Sequence, residues 1–140
     1  MFNTAHLHPM LVHFPIALVL AGFTADVAAA FFKKEVCLSK AGFYLLACGT
    51  LAAAITWLSG AIFTSEMDGD AGAMRETHEL FATVTTILLV ITLSARVIMK
   101  IRKTERPALN WLVFALYGLS AVSVAITGFY GGTLVYNYLM

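Results

Sequence analysis

Charge is what this chain has least of: 12% of its 140 residues are Asp, Glu, Lys or Arg, against 60% hydrophobic. A soluble domain carries about 25% charged residues, so that class is excluded. The mean hydropathy of +0.83 points to lipid. The net charge of +1 gives no reason to expect nucleic-acid binding. Cysteine is nearly absent too, and Cys37 and Cys48 lack the close spacing of a redox or zinc pair, so no disulfide and no thiol chemistry is expected. No basic residue precedes the first apolar stretch, which contains Pro15 and Asp26. It therefore lacks the charged start of a secretory signal peptide and is expected to remain as an anchor. No low-complexity tract, linker or internal repeat is apparent. Asp68 and Asp70 stand in a glycine-bearing acidic turn, Ser65 to Gly72, without the remaining ligands of a calcium loop.

What is present is four long apolar runs, roughly residues 10–32, 41–63, 78–99 and 109–130. Each approaches the ~20 residues of a spanning helix. Connections of this shortness join antiparallel neighbours. The expected fold is all-α, a single four-helix transmembrane bundle running up-down-up-down in the lipid bilayer. Lys33, Lys34 and Lys40 flank the first connection, and Arg96, Lys100, Arg102, Lys103 and Arg106 surround the third, while Arg75 stands alone on the other side. Short basic loops stay cytoplasmic, which predicts both termini outside, in a bacterial inner membrane.

All four histidines then fall at the outer, periplasmic edge. His6, His8 and His13 open the first run, and His78 opens the third. Neutral imidazole there is a ready ligand for a metal ion or haem iron. Pro15 would clash with the carbonyl of Leu11 in a regular helix, so the first helix either begins near Pro15 or begins near Pro9 and is kinked. On the third run, Arg75, His78 and Glu79 share one face of a helix start that Thr77 is placed to cap. The first and third helices of such a bundle are diagonal, ~12–14 Å apart, a gap that two histidines can bridge around an iron. His13 and His78 are the expected axial ligands, Arg75 the propionate partner, and His8 an alternative or supporting ligand. Phe14, Trp57, Phe81 and Phe129 are the aromatic candidates for the slot walls. The chemical rival is a zinc or copper ion on His8, His13 and His78, with Glu79 or Asp68. His6 is expected to be solvated. A third reading is a cofactor-free anchor or assembly subunit whose histidines order the helix ends.

Deeper in the membrane, Asp26 and Arg96 need partners and are expected to pair with each other; a proton path and separate snorkelling are the alternatives. Arg96 is eighteen residues from His78 and shares its face. In the last run Gly128 and Gly132 form a small-xxx-small pattern that favours helix packing or self-association, and Gly131 with Gly132 leaves room for a flat cofactor or breaks the helix.

HPMLVHFPIAL at 8–18, Arg75 with His78, and GGTLVY at 131–136 resemble a family of bacterial predicted membrane proteins of unknown function. Its members share an HPxxVHFP opening, a later histidine and a GGxLVY ending, and the likeness spans nearly the whole chain. Relatives joined to Rieske-type or cytochrome c modules imply respiratory electron transfer. The function expected is a small cytochrome b-like electron carrier with a haem b, acting as a subunit or partner of a redox complex rather than a stand-alone enzyme.

Overall fold

The computed structural model describes residues 7–64, 67–103 and 106–139. Every regular element in it is helical: α1 (Leu7–Leu11), α2 (His13–Phe31), α3 (Val36–Phe63), α4 (Gly69–Arg102) and α5 (Pro107–Leu134), closed by a π-helical turn, Val135–Leu139. Four spans are long and apolar enough to cross a membrane, with α1 and α2 together making the first. The helices outrun the apolar runs at several ends. Pro107 in the first turn of α5 has a φ already suited to a helix, and Lys103 ends α4 in the left-handed conformation. Thr77 lies two turns inside α4 and donates to the Ala73 carbonyl at 3.0 Å, so it does not cap the helix.

Of the two geometries open to the first helix, the structure takes the kinked one. The helix begins at Leu7 and breaks at Val12, whose N–H still reaches the His8 carbonyl at 3.2 Å. Pro15 has no N–H for the Leu11 carbonyl, and the Thr56 hydroxyl on α3 takes its place at 3.4 Å. α1 thereby leans on α3.

α2 packs along α3, α4 along α5, and the looser α3–α4 and α2–α5 contacts close the ring, which leaves α2 and α4 diagonal. At the centre is a packed layer in which Val19, Leu46, Leu89 and Tyr117, from α2, α3, α4 and α5 in turn, are fully buried. Glycines set the spacing. A Cβ at Gly22 would overlap the Tyr117 hydroxyl and lie 2.9 Å from Leu45 Cβ, so only glycine admits α3 and Tyr117 this close to α2.

The two hairpins also prove to be built alike, although no repeat is evident on reading the chain. The buried positions Pro15, Val19 and Gly22 of α2 recur seventy residues later as Thr85, Leu89 and Thr92 of α4. Those of α3, Gly42, Leu46, Gly49, Thr50 and Ala53, recur seventy-one residues later as Val113, Tyr117, Ser120, Ala121 and Val124 of α5. A short motif goes with them: Ala54-Ile55-Thr56 followed by Gly60, and Ala125-Ile126-Thr127 followed by Gly131. The signal is faint in sequence because lipid-facing positions accept any apolar residue.

Overpacking a close helix contact costs about 1–3 kcal/mol. Gly22→Ala is therefore expected to lower the melting temperature in detergent. Gly132→Ala, where a Cβ meets nothing within 4 Å, leaves it unchanged or slightly higher. Equal melting curves for the two variants would contradict this packing.

Candidate functional site

Between the hairpins, at the end opposite the basic loops, lies a cavity of about 440 Å³ reached by all four spans. This lies within the ~300–1,000 Å³ range of ligand pockets. His8 and His78 both line it, with ring centres 6.2 Å apart and planes at 77°. Each comes from a different hairpin.

The hydrogen bonds fix which nitrogen of each ring is protonated. His78 Nδ1 lies 3.0 Å from the Thr127 carbonyl oxygen, which can only accept, so Nδ1 carries the proton. His8 Nδ1 lies 2.9 Å from Ser59 Oγ, and Ser59 spends its own proton on the Thr56 carbonyl at 2.7 Å. His8 Nδ1 is again the donor. Both Nε2 atoms are left with a free lone pair, the arrangement of a metal-ligating histidine whose far nitrogen is held by a carbonyl or hydroxyl.

Each imidazole also rests on a glycine of its own hairpin. A Cβ at Gly60 would lie 3.0 Å from His8 Cε1, and one at Gly131 would lie 2.9 Å from His78 Cε1. Below His78, the Thr85 hydroxyl meets those of Ser123 at 2.7 Å and Thr127 at 3.0 Å, tying α4 to α5. On the α3–α4 side the Trp57 indole donates to Thr83 Oγ1 at 3.0 Å. Arg75 lines the cavity and pairs with Glu79 at 2.7 Å, one turn along α4.

His13, expected opposite His78, is not there. Its ring is exposed, its Nδ1 donates to the Pro9 carbonyl at 3.0 Å, and it does not line the cavity. The reason is helical phase. Pro15, Val19, Gly22 and Asp26 define the inward face of α2, and a residue two positions before Pro15 points ~200° away from it. His8, eighteen residues before Asp26, shares that inward face, and α1 leans on α3 beside it. His6 lies outside the described residues. The rival ion site on His8, His13 and His78 is not assembled either: among the described residues no three His, Cys, Asp or Glu side chains gather as metal ligands.

Of the proposed walls, Trp57 alone lines the cavity. Phe14 and Phe129 are exposed, and Phe81 stacks on Tyr130 with ring centres 5.8 Å apart. The glycines of the last run do not break α5. Gly128 packs against Ile16 of α2, Gly131 seats His78, and Gly132 faces open space. Asp26 and Arg96 pair as expected, with the Arg96 guanidinium over the Tyr117 ring at 5.2 Å. Sequence reading missed Ser59, Gly60 and the Thr127 carbonyl; the repeated AIT-x-x-x-G motif was the available signal.

Fold and site together define a four-helix membrane bundle with a paired-histidine cavity at one end. The chain belongs to the predicted membrane protein family DUF2231, which matches residues 4–140. No curated protein and no solved structure gives a significant match.

¹⁵N NMR of histidine-labelled protein is expected to show Nδ1 protonated and Nε2 bare in both His8 and His78. Ser59→Ala should release His8 from that tautomer and leave His78 unchanged. A protonated Nε2 on either ring in the parent protein would refute the assignment.

Proposed function

We propose that the cavity holds a b-type haem with His8 and His78 as its two axial ligands, and that the protein transfers electrons at this end of the membrane. The observation carrying the reading is the facing pair of imidazoles with both Nδ1 atoms committed as donors. His8 and His78 would hold the iron through their Nε2 lone pairs. Their ring centres lie 6.2 Å apart. A bare zinc or copper site wants three or four protein ligands, and the described residues offer two. A porphyrin supplies four nitrogens itself and needs only the axial pair. This donor count favours haem over the ion site.

The remaining features fit in kind. Gly60, Gly131 and Ala82 keep the cavity free of bulk beside the imidazoles, and Arg75 stands where a propionate would be met. The bound group would supply the one-electron redox chemistry. The chain's own residues hold the imidazoles in a single tautomer and exclude bulk water from below. Lys33, Lys34, Lys40, Lys100, Arg102, Lys103 and Arg106 at the opposite end support an orientation with the histidines facing the periplasm of a bacterial inner membrane. A role as a redox-complex subunit, or as a homo-oligomer, belongs to the same proposal.

The test is an oxidised and dithionite-reduced visible spectrum of protein expressed with haem available, with iron, zinc and copper measured on the same sample. Sharp reduced bands with near-stoichiometric iron are expected. They should be lost in His8→Ala and His78→Ala, persist in His13→Ala, and weaken in Ser59→Ala through a ~10-fold or greater loss of affinity. Zinc or copper without those bands would favour the ion site. A metal-free, colourless protein would leave the histidines as packing groups and end the proposal.

A further inference from the structure

Two contacts join the hairpins through polar side chains from diagonal spans, and they stand in the same register. His8 meets His78 at one end, and Asp26 meets Arg96 toward the other. Asp26 follows His8 by eighteen residues, and Arg96 follows His78 by eighteen. Five full turns, ~27 Å along each helix, separate the two levels. The members of each pair are also seventy residues apart, the same interval that relates the buried faces of α2 and α4. The partner helix repeats the interval: Gly60 seats His8 and Gly42 seats Asp26, again eighteen residues apart.

We infer that the chain is two copies of one two-helix unit, and that the Asp26–Arg96 pair is the device that holds the unlike halves in the one register where His8 faces His78. Between the two levels Val19 and Leu89 are fully buried at the centre, and the hydroxyls of Thr50, Thr92 and Ser120 are bonded within their own helices, not across to another. Such a surface is forgiving. Leu, Val and Thr faces repack after one helix slides against another, and hydrophobic contact has no direction. An ion pair in a membrane interior is not forgiving, because breaking it strands a charge in a medium that solvates it poorly.

Its surroundings leave it no slack. Asp26 lies against the backbone of Gly42, where a Cβ would meet its carboxylate and lie 3.2 Å from the Gly22 carbonyl oxygen. Arg96 is held over the Tyr117 ring. All four spans therefore meet at this level, and a shift of either hairpin would separate the charges. Unlike charges at symmetry-equivalent positions also favour the pairing of first half with second over the pairing of like halves, where two Asp or two Arg would meet. Asp26 and Arg96 are positioning residues for the histidine pair. This inference does not rest on what the cavity binds.

The test reads register directly and without a cofactor. In full-length protein with Cys37 and Cys48 changed to Ser, His8→Cys and His78→Cys are joined by a short bifunctional maleimide. Yield is scored on the monodisperse, helical fraction. The parent background is expected to cross-link efficiently. Asp26→Asn and Arg96→Gln should each lower the yield roughly threefold or more, since the charge left behind disfavours the native register. Gly42→Ala, which keeps both charges but denies Asp26 its seat, should lower it in the same direction. Tyr117→Phe, which keeps the ring under Arg96, should leave it unchanged. Parent-level cross-linking in folded Asp26→Asn and Arg96→Gln, even with lowered thermal stability, would overturn the inference by showing that packing alone holds the register. A wholly unaffected Gly42→Ala would do the same.

Discussion

Pro15 deprives the first helix of one backbone hydrogen bond, and the histidine end of the molecule is arranged around that loss. In water the orphaned Leu11 carbonyl would cost little. In a membrane it needs an internal partner, and the Thr56 hydroxyl on α3 is the group that meets it. That contact draws α1 onto α3, and the same turn of α3 provides Ser59 for the His8 Nδ1 and Gly60 for the face of its ring. One covalent constraint thus gives the His8 turn its footing on α3.

The spans, their order and the Asp26–Arg96 pair were legible in the sequence because lipid punishes alternatives harshly. A run of ~20 apolar residues has few other fates, and opposite charges at similar depth have few other partners. The site was legible only to the level of the edge. Depth does not separate His13 from His8, and the two prolines leave their relative phase open. The spacing from Asp26 decides between them: if Asp26 faces inward, a residue thirteen positions before it points ~220° away on a 3.6-residue helix, whereas one eighteen positions before it shares its face. The eighteen-residue spacing that puts Arg96 on the face of His78 likewise puts His8 on the face of Asp26, across the turn at Val12. The seats beneath the rings were harder to see. Gly60 and the Thr127 carbonyl carry no chemical signature, and their roles emerge only when the AIT-x-x-x-G segments of α3 and α5 are set side by side.

Pseudo-twofold construction also bears on what kind of ligand suits the cavity. Each half offers one imidazole, seated on one glycine and held through Nδ1, so the two donors present equivalent lone pairs. The two halves therefore present the cavity with the same donor twice. The halves differ where the symmetry is least useful. Trp57 closes the α3–α4 side through Thr83, while its counterpart position on α5 is Gly128, packed by Ile16. Arg75 and Glu79 stand on the second half alone, so a symmetric core is given one distinguishable rim.

The bundle interior separates its two polar levels instead of connecting them. Thr50, Thr92 and Ser120 are buried between the levels, yet each donates its proton to a carbonyl one turn back on its own helix, at 2.7–2.8 Å. A hydroxyl committed in this way offers only lone pairs to its neighbours and does not pass a proton along the axis. Val19, Leu46 and Leu89 fill the space beside them. Tyr117 is the one fully buried side chain among the described residues whose polar atom has no partner, and leaving such a group unpaired costs about 1–3 kcal/mol. Its hydroxyl lies at the level of Gly22, on the Asp26–Arg96 side of the apolar layer, so it extends the lower polar level and not the upper one. The ion pair below the histidines therefore contributes geometry to the bundle and is not one end of a hydroxyl chain running between the two levels.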